Sequence, residues 1–187
     1  MNVVILGHSF IRRLRELTEQ ESAFHNLRLS KEQFKITFRA KGGLTLEKLK
    51  SKNELLAFHS PDIVFLQIGG NDLGNISPFV LVQRILELVN ALLLVNKAKS
   101  VIIGQLFWRD PRVSGKTYND KVIGANQLLA QGTKTSRRIT FWQHRGGFWK
   151  RDLSFLKKDG VHLNPTAQRK YLQSVKAAIL TASKQFN

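Results

Sequence analysis

The chain has no cysteine among its 187 residues, so disulfide frameworks, Cys-ligated zinc and thiol catalysis are excluded. It is poor in acid: 13 Asp and Glu stand against 30 Lys and Arg, a formal net charge of +17. It also lacks the run of about 18 uncharged apolar residues that a bilayer-spanning helix takes. The richest stretch, Phe79 to Val95, is interrupted by Gln83, Arg84, Glu87 and Asn90. The apolar run Val3 to Leu6 is far too short for a signal-peptide core and reads as a first strand. A chain with neither kind of segment is expected in the cytoplasm or nucleus. Beginning directly on a first strand suggests a piece of a longer protein. His25, His59 and His144 lack the clustered carboxylate and imidazole spacing of a metal site. They read as surface or packing residues, and neither a metal nor a cofactor is expected.

What is present is charge and a regular rhythm. So large a basic excess points to a polyanionic neighbour, either nucleic acid, an anionic membrane surface or an acidic partner, with a merely solubilising surface as the alternative. With 42% apolar residues, the chain has the core material for one domain over 1–187, expected to be a monomer in isolation. Short apolar, β-branched runs at Val3–Leu6, Phe34–Phe38, Ile63–Ile68, Val101–Leu106 and Ile139–Trp142 carry the strand signal. Helical spacing fills the gaps, from Ser9 onward, from Ser77-Pro78 to about Asn96, over Lys121–Gln131, and from Asn164-Pro165 to the C-terminus. Strands alternating with helices predict a parallel sheet covered on both faces. The expected fold is a flavodoxin-like three-layer α/β/α sandwich with five strands in the order 2-1-3-4-5.

Ligands of such sheets sit at the carboxyl ends of the strands, so the strand-to-helix junctions hold the candidate chemistry. Four stand out: Gly7-His8-Ser9, Gly42-Gly43-Leu44-Thr45, Gly69-Gly70-Asn71-Asp72, and Asp159-Gly160-Val161-His162 before the last helix. Each has an ordinary reading. Ser9 is placed to cap a helix, Gly42-Gly43 to make a positive-φ turn, Asn71-Asp72 to make an Asx turn, and Asp159 with His162 to form a capping pair. Together they supply the parts of acyl transfer. A serine hydroxyl needs a base, and the base needs a carboxylate that fixes its tautomer. Asp-x-x-His puts both on one turn. The developing oxyanion needs preorganised donors, and the backbone amides of Ser9 and Gly43 and the side-chain amide of Asn71 are candidates.

In that order, the four segments resemble the sequence blocks of the SGNH (GDSL-like) hydrolase family, over residues 3 to 170. Val4-Ile5-Leu6-Gly7-His8-Ser9 is similar to the nucleophile block, and Gly43 to the glycine of the second. Gly70-Asn71-Asp72 is similar to the third, and Asp159-Gly160-Val161-His162-Leu163-Asn164 to the last. The resemblance implies a serine esterase with Ser9, Asp159 and His162 as triad and Ser9, Gly43 and Asn71 as oxyanion hole. It further implies short acyl groups such as acetyl, on a lipid or carbohydrate alcohol. Two positions depart from the pattern. His8 stands where the family usually has aspartate, which touches the order of the turn and pKa tuning rather than the mechanism. Ala167 replaces a frequent glycine. The spelling Leu-Gly-His-Ser-Phe-Ile-Arg-Arg-Leu, with the charge, further resembles esterase domains in first-open-reading-frame proteins of animal LINE-type retrotransposons. The rivals are an acyltransferase, or a nucleic-acid- or lipid-binding module on an inactive hydrolase scaffold.

From Lys134 to Lys158, cations alternate with Phe141, Trp142, Phe148, Trp149 and Phe155. That composition suits single-stranded nucleic acid, by phosphate contact and base stacking, or an anionic lipid interface. Arg137, Arg138, Lys150 and Arg151, with Arg12 and Arg13 on the helix after Ser9, are the candidate polyanion contacts. Phe107 and Trp108 at the end of the fourth strand, and Trp149 before Asp159, are candidate walls of an acyl pocket; core packing is the alternative for each.

Overall fold

A computed structural model describes residues 1–145, 148 and 152–186. Five strands, β1 (Asn2–Gly7), β2 (Lys35–Ala40), β3 (Ile63–Gln67), β4 (Ser100–Gly104) and β5 (Ile139–Trp142), form one parallel sheet in the order β2-β1-β3-β4-β5. The expected topology is the observed one. Four long helices cover it: α1 (Ser9–Gln20), α4 (Pro78–Leu94), α6 (Tyr118–Thr133) and α7 (Pro165–Ser183). Short helices α2 (Leu46–Lys50), α3 (Asn53–Leu56) and α5 (Pro111–Ser114), and two 3-10 segments, Ser22–Arg28 and Lys184–Phe186, fill the connections.

The period-two pattern of the strands sorts the core into two layers. Val4, Leu6, Val64, Leu66, Val101 and Ile103 pack with α4 and α6 on one face. Val3, Ile5, Ile63, Phe65 and Ile102 pack with α1 and α7 on the other. Burying one such aliphatic side chain contributes about 1.5–3 kcal/mol, and these strands bury side chains on both faces. The helices start where the caps are. Ser77 Oγ accepts from Val80 N at 3.3 Å ahead of Pro78, and Asn164 Oδ1 accepts from Ala167 N at 2.8 Å ahead of Pro165.

Some boundaries differ from expectation, and each has a local cause. Phe34 is spent on a turn, with its N–H on Ser30 O, so β2 begins at Lys35 and runs on to Ala40 opposite Gly7. β4 stops at Gly104 rather than Leu106, because the backbone N–H and C=O of Leu106 are taken by the Asn126 side chain of α6 at 2.9 and 3.1 Å. α6 extends past both ends of Lys121–Gln131. No helix among the described residues is long and apolar enough to cross a membrane.

Candidate active site

Ser9 is the first residue of α1, immediately beyond the carboxyl end of β1. Its position is set by its neighbour. His8 N donates to Gln67 O at 3.2 Å, tying the turn to the end of β3, and His8 Nδ1 accepts from Phe10 N at 3.4 Å. The imidazole thus caps the helix where an aspartate would, without bringing a charge. Burial, helped by the positive Arg109 and by His162, lowers its pKa to about 3. With Nδ1 as acceptor and the ring neutral, the proton resides on Nε2.

The other half of the site comes from the chain ahead of α7. Lys157 N donates to His162 O at 2.7 Å and Asn164 N to Phe155 O at 2.9 Å, making a narrow two-stranded loop. Its tip is Asp159 to His162. Gly160 at that tip has φ of +69°, and a Cβ there would come within 2.6 Å of Asp110 Cβ, so only glycine lets the tip sit down on the segment after β4. Asp110 N donates to Gly160 O at 2.8 Å across that contact.

Within the tip, Asp159 Oδ1 accepts from Val161 N at 3.0 Å and His162 N at 2.9 Å. Asp159 Oδ2 lies 2.8 Å from His162 Nδ1, and His162 Nε2 lies 3.0 Å from Ser9 Oγ. Burial works to raise the Asp159 carboxyl. The two backbone amides and the imidazole outweigh it and hold the group well below the usual carboxylate range. An ionised carboxylate can only accept, so Nδ1 carries the proton and Nε2 is free to take one from the serine.

The second and third junctions are tied to each other. Asn71 Nδ2 donates to Leu44 O at 3.0 Å, and Asp72 Oδ1 accepts from Leu46 N at 3.0 Å. Burial raises the Asp72 carboxyl against the pull of that amide. Gly43 has φ of +65°, the positive-φ turn expected of it. The amides of Ser9 and Gly43 have no hydrogen-bond partner among the described residues.

Sequence reasoning missed a group of residues around Asn71. Arg109 Nη2 donates to Asn71 Oδ1 at 2.9 Å. The Arg109 backbone is itself clamped by Asn119, which accepts from its N–H at 3.0 Å and donates to its C=O at 2.9 Å. Tyr118 lies under the guanidinium, 5.0 Å from its carbon, and its hydroxyl donates to Gly70 O at 3.0 Å. The available signal was the seven-residue spacing of Asn119 and Asn126, which puts both on one face of α6.

The wall residues fare differently. Phe107 is only 4% exposed. It meets Phe10 edge-on at 5.1 Å and stacks on His144 at 5.0 Å. Because Phe10 itself stands between Phe107 and His162, Phe107 supports the site from the core rather than walling a pocket. Trp108 is half-buried between the two core layers. Trp149, Lys150 and Arg151 lie outside the described residues. In the basic segment, Phe148 and Phe155 are buried and Phe141 and Trp142 half-buried, so none of its described aromatics is exposed for stacking. Arg12 pairs with Glu16 at 2.6 Å, and Arg138 is turned to the carbonyls of Ala98 and Lys99. Of the described candidates, Arg13, Arg137 and Arg138 are outside any ion pair among the described residues.

No protein-family model matches this chain, and no curated protein sequence does. Solved structures do. A lipolytic G-D-S-L family member from Veillonella parvula has a TM-score of 0.72 at 17% identity, over 96% of this chain and 98% of that one. A GDSL-like lipase from Bacteroides thetaiotaomicron has a TM-score of 0.72 at 19% identity, over 97% and 88%. An acetyl xylan esterase has a TM-score of 0.65 at 16% identity, over 96% and 100%. The chain therefore has the α/β fold of the GDSL, or SGNH, hydrolases.

Proposed function

We propose that this protein is a serine esterase of the SGNH type. The observation that carries the reading is the continuous Ser9–His162–Asp159 relay, with both links at hydrogen-bond length and the histidine tautomer fixed. Ser9 Oγ attacks the acyl carbonyl while His162 Nε2 takes its proton, and Asp159 stabilises the imidazolium. The tetrahedral oxyanion is received by the Ser9 and Gly43 amides and the second N–H of Asn71 Nδ2. Collapse expels the alcohol, which takes the proton from His162. Water, deprotonated by the same imidazole, then releases the acid from Ser9.

Short acyl groups such as acetyl, on a lipid or carbohydrate alcohol, are the substrate class we assign. The described neighbours include an acetyl xylan esterase and a lipase, which supports both alcohols equally. A polyanion, RNA or an anionic membrane, is the second partner we assign. It is supported by the +17 charge. Its signature is an affinity that falls steeply with salt.

The test of the esterase is a panel of neutral acyl esters of increasing chain length, turned over by wild type and by Ser9→Ala. Activity should fall with chain length and drop to background in the variant. The fold should survive, because a lone hydroxyl at a helix start contributes only about 1 kcal/mol. Hydrolysis by Ser9→Ala within tenfold of wild type would make Ser9 a capping residue.

A further inference from the structure

We infer that Arg109 is the positioning residue of the oxyanion hole: it fixes which way the Asn71 amide faces and polarises that amide for the developing charge. This deepens the esterase reading and rests on it. An asparagine amide can flip, exchanging donor for acceptor, and only its surroundings decide. Here both ends are decided. Guanidinium nitrogens only donate, so the group 2.9 Å from Arg109 Nη2 is the amide oxygen. The Leu44 carbonyl only accepts, so the group 3.0 Å from it is the amide nitrogen. One hydrogen of Nδ2 is spent on Leu44, and the other is left for the oxyanion.

The guanidinium is well suited to hold that orientation because it is itself held. Asn119 grips the Arg109 backbone at both its N–H and its C=O. The Tyr118 ring lies under the cation, and that ring is anchored in turn to the carbonyl of Gly70, the residue before Asn71. A Cβ on Gly70 would meet Arg109 Nη2 at 3.3 Å, Tyr118 Oη at 3.5 Å and His8 Nε2 at 3.6 Å, so the four residues form one tight group.

The charge is also unspent. Among the described residues no carboxylate pairs with Arg109, and its titratable neighbour His8 is neutral. A carboxylate at position 8 would draw the cation toward itself. The histidine there caps the helix and leaves the cation to Asn71. A cation bound to the amide oxygen withdraws electron density from Nδ2–H, making it a better donor when negative charge forms.

The experiment is a mutant cycle on a small neutral ester. Arg109→Ala should lower kcat by about 10- to 100-fold with KM changed little, Asn71→Ala by about 10²- to 10³-fold, and the double variant no further than Asn71→Ala alone. Added guanidinium ion should restore part of the kcat of Arg109→Ala and do nothing for Asn71→Ala. Additive losses, a kcat within threefold of wild type, or a loss confined to anionic esters would each overturn the inference, the last making Arg109 a substrate contact. A second measurement needs no turnover: the Asn71 side-chain NH2 resonances in 15N spectra, identified by their disappearance in Asn71→Asp. They should shift and sharpen toward free-amide values in Arg109→Ala; unchanged resonances would refute the assignment. If wild type proves inactive, or Ser9→Ala equals it, the esterase reading fails, while the spectra still decide the role of Arg109.

Discussion

Two histidines of this protein sit in three-part hydrogen-bonded relays and are put to opposite ends. His162 lies between Asp159 and Ser9 at the surface, its side chain 22% exposed. His144 lies between Ser174 and Gln67 in the core. Trp142 Nε1 donates to Ser174 Oγ at 3.0 Å, so the serine hydroxyl is free to donate to His144 Nδ1 at 2.9 Å. Nε2–H of His144 then donates to Gln67 Oε1 at 3.2 Å, where Tyr171 also donates at 3.1 Å. Every member of this buried chain is satisfied with a neutral ring, and burial lowers the His144 pKa to about 3. The lesson is that serine beside histidine is not a nucleophile by composition. A carboxylate on the far nitrogen and access to water separate a base from a packing residue.

The sharpest way to break that contrast is to give His162 the kind of partner His144 has. Asp159→Asn should lower kcat by about 10⁴-fold, because the amide can donate to Nδ1 and select the wrong tautomer; steady-state kinetics with circular dichroism would separate this from misfolding. The reverse exchange, Gln67→Glu, puts a carboxylate beside the buried ring. It should cost about 3 kcal/mol at neutral pH, read by urea unfolding, since the new oxygen faces the Gln105 carbonyl that now accepts from Gln67 Nε2. A stable Gln67→Glu protein would show that the core tolerates charge.

The third test is the pH dependence of stability. His8 and His144 both have folded pKa values about 3, below their ordinary 6.5, so the unfolded chain binds their protons first. Their contribution is complete above about pH 6.5 and is lost as pH falls toward 3. Each adds a slope of about 1.4 kcal/mol per pH unit inside that window. His144→Gln should remove one proton's worth of slope between pH 6 and 4, whatever it does to stability at pH 8. An unchanged slope would mean that His144 titrates normally.

The layered fold was legible because the near-continuous apolar runs Val3–Leu6, Ile63–Ile68 and Val101–Leu106 are what burial on both faces of a parallel sheet demands. The hydrogen-bonded set of Ser9, His162 and Asp159 was legible for a local reason, since Asp159 and His162 lie on one turn and Ser9 follows a strand. Phe107 misled because a ring at a strand end has the same spelling whether it faces a pocket or a core. The polyanion contacts were the least legible. Arg12 and Arg138 read as free cations, yet Glu16 lies one helical turn from the first, and the carbonyls that hold the second are 39 and 40 residues away. Arg109 was invisible for the same reason: its partner Asn71 is 38 residues distant, and nothing local marks the pairing.

The two asparagines of α6 have a consequence for how the molecule opens. The last bond from this segment to a strand is Gln105 N to Trp142 O of β5; beyond it the N–H and C=O of Leu106 and of Arg109 are each satisfied by an amide side chain, as if a neighbouring strand lay there. The protection of those two amides against solvent deuterium is thus on loan from a helix. They should exchange when α6 lifts as a cooperative unit, at its free energy of opening rather than that of the sheet they extend. Arg109, which donates to the Asn71 amide, would then be released in the same event, which couples the local stability of one surface helix to the geometry of the candidate site.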